Sequence, residues 1–139
     1  MSLDIHLFKD NIDFRKIRKD IDILYEKRRN IQDELEQLED EYSDAELSAF
    51  NITHNLGKMA QEVGLYDVLW NSEEIGITIA SQMILPLEEG INELEKNPNK
   101  YKAFDAPNGW GRYEDFLEFC KSILQKCREY PEAIIEVSK

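Results

Sequence analysis

Cysteine and histidine are scarce, at two residues each in 139. Cys120 and Cys127 stand seven positions apart on a predicted helix, which separates them by about 10 Å at 1.5 Å per residue. A disulfide needs Cα atoms within roughly 7 Å, so the pair is excluded, and two buried thiols fit a reducing compartment. His6 and His54 lack a Cys or His neighbour at ligand spacing, so no zinc motif is present and no metal is expected. Bases are in deficit: 17 Lys and Arg stand against 29 Asp and Glu, a formal net charge of -12. The isoelectric point is near 4.6. Phosphate recognition needs clustered cations, so direct nucleic-acid binding is not expected; a basic surface is attracted instead. Long apolar runs are missing as well. None approaches the roughly 18 residues of a membrane helix, and no signal peptide opens the chain. The reading is a soluble protein of the cytoplasm.

Catalytic signatures are also missing. There is no Walker loop, no Rossmann glycine fingerprint, no HExxH and no GxSxG. Both cysteines lie on an apolar stripe, which disfavours a thiol nucleophile. No carboxylate pair is set apart by an apolar setting as an acid–base dyad. The expectation is a non-enzyme without a cofactor.

What is present is a long heptad seam. Phe14, Ile17, Ile21, Leu24, Arg28, Ile31, Leu35, Leu38 and Tyr42 alternate at spacings of three and four. That is an a/d pattern, interrupted at one a position by the charge of Arg28. It predicts a helix from about Ile12 to about Leu47, with Asp10 or Asn11 as its cap. Seven bases and three acids lie between Arg15 and Arg29, and eight acids and no base between Asp33 and Glu46. That polarity opposes the helix macrodipole. An antiparallel partner of the same sequence sets each basic half against an acidic half, which predicts a homo-oligomer through antiparallel helices. The other reading open here packs the helix on its own globular body, with the charges on a solvated face.

With 33% charged and 42% apolar residues, the chain reads as one globular domain. Residues 11–47 read as a coiled-coil insertion, and 1–8 with 48–139 as the body. Leu3 to Phe8 alternates with period two and predicts a strand. Ile134 to Val137 predicts a second, so the expected fold class is α+β, mostly α, with a small terminal β-ribbon. Helices are expected over Ser48–Gly64, Ile77–Asn97 and Arg112–Tyr130. Pro86 kinks the second of these or starts a new helix at its own position.

On the helix from Ser48, the side chains of Asn51, His54, Asn55 and Lys58 fall within about 100° of one another. Either they line a polar pocket, or Asn51 caps the helix and the rest are solvated. Trp70 closes a short segment ahead of Asn71-Ser-Glu-Glu. Trp110 sits between Asn108-Gly109 and Gly111, in a turn that makes it either a core plug or a stacking platform.

The stretches Asn51-Ile-Thr-His-Asn-Leu-Gly-Lys-Met-Ala and Asn108-Gly-Trp-Gly resemble a family of small uncharacterised phage and bacterial proteins. The opening Met1-Ser-Leu-Asp-Ile, the stretch Leu69-Trp70 with Glu73-Glu-Ile-Gly, the helix Tyr113–Tyr130 and the tail Glu136-Val-Ser-Lys are similar too. The resemblance covers both ends and Asn51 onward, but not Asn11–Leu47; Arg112 departs from the small polar residue usual there. It implies a phage or mobile-element setting and supplies no activity. The function expected is a phage accessory protein that antagonises host defence by binding a small nucleotide-like ligand between subunits. Asn51, His54, Asn55 and Lys58 would supply hydrogen bonds, Trp70 and Trp110 a stacking face, and Arg112 a phosphate contact. One alternative is an acidic inhibitor whose Asp33–Glu46 half occupies the basic nucleic-acid surface of a host effector, as an anti-CRISPR protein would. Another is a coiled-coil assembly protein.

Overall fold

A computed structural model describes residues 2–139. They divide into two compact units, one ending at Glu46 and one spanning Leu47–Lys139. The second is called the head below.

The first unit is dominated by α1, Phe14–Ala45. Its cap is Asp13, two or three residues beyond Asn11 and Asp10: the Asp13 carboxylate accepts from the backbone N–H of Lys16 at 3.1 Å. Ahead of it, Phe8 stacks on Phe14 with ring centroids 3.9 Å apart, and the Arg18 guanidinium lies 5.7 Å from the Phe14 ring. No residue of α1 is buried. Apart from Phe14, half-buried under Phe8, the seam is open to solvent, from Ile21 and Leu35 at 46% exposure to Tyr42 at 70%.

The head is a set of short helices around two longer ones. In chain order they are α2 (Gly57–Val63), α3 (Tyr66–Trp70), α4 (Ser81–Lys96), α5 (Pro98–Lys102) and α6 (Tyr113–Glu129). Single 3-10 turns lie at His54–Leu56 and Glu73–Ile75. The long pair α4 and α6 makes the main interface. Phe116, Cys120, Ile123, Leu124 and Cys127 supply the buried stripe of α6, and Met83, Leu87, Gly90, Ile91 and Leu94 that of α4. The acids Glu114 and Asp115 open α6 and Lys126 and Arg128 close it, the order the helix dipole favours.

Two joints show how the chain turns without leaving polar groups unpaired. Gly64 ends α2 in the left-handed region at φ 81°, and the Leu65 N–H donates back to Ala60 O at 2.8 Å. This is the six-to-one closure that glycine permits. At the end of α4, the buried Tyr113 hydroxyl donates to the carbonyl of Leu94 at 2.7 Å. A last-turn carbonyl without an intrahelical partner is thereby satisfied from another helix. α4 runs through Pro86 unbroken, so no new helix starts there.

The expected β-ribbon does not form. Among the described residues there is no sheet, and the fold is all-α. Leu3–Phe8 is irregular and exposed; Met1 lies outside the described residues. The tail makes one antiparallel bridge, Ile134 to Ile79, flanked by Ile135 N–H to Thr78 O and Ala80 N–H to Ala133 O, each at 2.9 Å. Period two indicates extended backbone but names no partner, and two short strands are marginal by themselves. The tail instead docks on the residues leading into α4. No described helix is long and apolar enough to cross a membrane.

Candidate functional site

The expected helix from Ser48 begins only at His54. Thr53 is extended, at φ -70° and ψ 140°, because its hydroxyl accepts from the Asn55 N–H at 3.2 Å and acts as the cap. Asn51 therefore lies outside any helix, exposed, and off the helical face expected to carry it with the others. His54 and Asn55 occupy the 3-10 turn, and Lys58 the first turn of α2. The Lys58 ammonium lies 6.0 Å from the Phe104 ring.

The Trp110 loop comes down on this turn. The Asn55 side-chain amide donates to Trp110 O at 2.9 Å. Inside the loop, Asn108 Oδ1 accepts from the Trp110 N–H at 3.0 Å, and the Ala106 N–H donates to Gly111 O at 2.9 Å. Gly111 is buried at φ 130°. A Cβ there would stand 3.1 Å from Leu56 Cγ and 3.2 Å from Thr53 Cγ2, so the glycine is required both by its backbone angle and by the close approach. The two motif stretches, far apart in the chain, thus form one joint.

The two tryptophans separate in role. Trp110 is 75% exposed, so it is not a core plug; its backbone is tied down and its ring is open. Trp70 is buried, and Tyr66 stacks on it at 5.1 Å, nearly parallel at 6°. Its indole N–H donates to His54 Nδ1 at 3.0 Å. The Nδ1 side of His54 is thus engaged with Trp70, while the residue itself is exposed. Arg112 caps α6 and is exposed, with its N–H donating to Asp115 at 3.2 Å. The neighbouring Glu114 carboxyl is held below the usual range by its own backbone hydrogen bond, with Lys102 and then Arg112 adding to the effect.

Thr53, Tyr66 and Asp105 were not among the expected site residues. Asp105 accepts from the Tyr113 N–H at 2.7 Å and so ties the loop to the start of α6. Only Thr53 carried a sequence signal, as a capping residue two positions before Asn55. An open groove of about 500 Å³ lies between α4 and α6 and shares none of the candidate residues. Ile91 and Leu124 line it, and the pairs Arg128–Glu88 at 2.7 Å and Lys121–Glu95 at 3.3 Å join residues of its rim.

An exposed indole, a fixed carbonyl, a lysine and an arginine can stack on a planar ring and pair with negative charge. Burial pushes the Cys120 thiol up to about 12 and the Cys127 thiol upward too, so neither ionises readily. No family model matches the chain, and no curated protein or solved structure matches it either.

Proposed function

We propose that this protein is a non-enzymatic binding protein that acts as a self-associated assembly, with α1 as the association handle. One observation carries the reading: a 32-residue helix with an apolar seam on one side and no buried residue. Helix propensity alone contributes little in water, so such a helix gains its stability by covering its seam. Sedimentation equilibrium tests it. The wild-type chain is expected to run as an oligomer at micromolar concentration, and the double variant Ile21→Glu/Leu35→Glu as a single chain. A wild-type chain that stays single at tens of micromolar overturns the reading.

A second reading concerns the head, and the open ring of Trp110 favours it. A small nucleotide-like ligand would stack on Trp110 and meet Arg112 with its phosphate, beside Asn55 and Lys58. The motif resemblance supplies the setting, a phage protein that blunts host defence by sequestering such a ligand. Calorimetry against nucleotide second messengers, with Trp110→Ala as control, tests it; folded protein that binds none of them removes it. The acidic-inhibitor alternative needs Asp33–Glu46 free, and is in competition with any pairing that spends those acids on a second copy.

A further inference from the structure

We infer that two copies of α1 pair antiparallel in one register, with Ile17 against the partner's Tyr42, Ile21 against the partner's Leu38 and Leu24 against the partner's Leu35, and that Arg28 selects this arrangement over the parallel one. The inference rests on the self-association proposed above and adds to it the orientation, the register and the residue that chooses them.

Seam coverage fixes the register, and charge fixes the orientation. The first follows from the extent of the helix. Laid antiparallel for full overlap, Phe14 meets the partner's Ala45, and the two-fold axis falls between Arg29 and Asn30. That overlap puts every a residue opposite a partner d residue, as knobs-into-holes packing requires. Sliding the copies by one heptad keeps a opposite d but leaves apolar seam residues uncovered at an end.

The second constraint is charge. In the full-overlap register Arg18 lies beside the partner's Glu39 and Lys27 beside the partner's Glu34, each pair occurring twice by symmetry. Asp20 beside the partner's Glu41 opposes them, also twice, so attraction outnumbers repulsion. A slide one way sets Lys27 beside the partner's Lys27. A slide the other way keeps attraction, with Arg18 beside the partner's Glu46 and Lys27 beside the partner's Glu41, and it is the seam left uncovered at Phe14 and Ile17 that disfavours it. A parallel pair sets Glu34 beside the partner's Glu39 and Glu41 beside the partner's Glu46, and repels along its acidic half.

Arg28 sharpens the choice. It occupies an a position, and its guanidinium lies 5.4 Å from the ring of Tyr25. Among the described residues it makes no ion pair, whereas Arg29 pairs with Glu26 at 3.3 Å on the outer side. In a parallel pair the two Arg28 side chains share one layer, like charge on like. In the antiparallel register the two lie in adjacent layers, three residues or roughly 5 Å apart along the axis, and each packs its stem over the partner's Ile31 with the partner's Glu34 at the same axial distance on its other side. A charged a residue that costs some stability and specifies orientation is a known use of such positions.

Nitroxide labels read the arrangement directly. Lys16→Cys and Asn30→Cys are each labelled in the full chain, where both native thiols are buried, and interlabel distances are measured by double electron–electron resonance. The Asn30 labels are expected close together, near the interhelical spacing of roughly 8–10 Å plus the label arms, and the Lys16 labels about 40 Å apart along the axis. Introducing Arg28→Leu is expected to add a short Lys16 distance as parallel pairs appear. Short distances at both sites in the native-Arg28 chain overturn the inference and leave self-association standing. So does a long Asn30 distance, or an Arg28→Leu chain that stays wholly antiparallel. No dipolar coupling at either site, with single-chain sedimentation, overturns the reading beneath it.

Discussion

The indole N–H of Trp70 donates to Nδ1 of His54 across 3.0 Å. A residue expected to stack on a ligand and one expected to hydrogen-bond it are in this way joined to each other. The bond anchors the 3-10 turn that leads into α2 to the core residue that ends α3.

Removing that acceptor is therefore a stability change. His54→Phe leaves the largely buried indole N–H without a partner and is expected to cost about 1–3 kcal/mol. His54→Gln, which can still accept, is expected to recover part of the loss. Urea denaturation followed by tryptophan fluorescence measures both, and a His54→Phe chain as stable as wild type refutes the anchoring role.

Trp110 is expected to behave in the opposite way. Its ring is mostly in solvent and its fixed atoms are backbone. Trp110→Ala should shift stability by no more than about 0.5 kcal/mol and remove the emission of the exposed indole. A larger loss on denaturation would make the ring structural.

Tyr113→Phe deletes one hydroxyl and leaves the Leu94 carbonyl at the end of α4 unpaired inside the head. The expected cost is about 1–2 kcal/mol, with the midpoint falling and the denaturant slope unchanged. An unchanged midpoint would mean that this carbonyl finds another donor.

Gly90→Ala is expected to destabilise although it improves helix propensity. A Cβ at Gly90 would stand 2.6 Å from Leu65 Cγ, and Leu65 is fully packed at 1% exposure. Propensity returns about 1 kcal/mol, while overpacking costs about 1–3 kcal/mol. Pairing Gly90→Ala with Leu65→Ala should relieve the clash, which a double-mutant cycle reads as coupling.

Alkaline pH should weaken the head. Burial raises the Cys120 thiol from 9.0 to about 12 and pushes Cys127, Tyr101 and Tyr113 upward as well. Between pH 9 and 12 the unfolded chain releases protons that the folded chain keeps, so stability is full below pH 9 and falls as pH rises. The expected loss is on the order of 3 kcal/mol, with a shallower decline in Cys120→Ala. Thermal melts across that range check it; a flat profile contradicts it.

The sequence by itself determined the helices whose partners are local. The heptad spacing from Phe14 to Tyr42 marked α1, the apolar stripe from Tyr113 to Cys127 marked α6, and Gly64 marked the end of α2, since periodicity and capping chemistry need only near neighbours. It also singled out Asn55 and Trp110. The tertiary structure alone decided that Trp70 is buried and Trp110 open, that Thr53 rather than Asn51 caps, and that the tail pairs with Thr78–Ala80 instead of with Leu3–Phe8. Each of these turns on which distant group reaches a given donor, acceptor or surface first. An alternating segment displays unpaired N–H and C=O groups whatever its sequence, and only the packed chain settles what meets them.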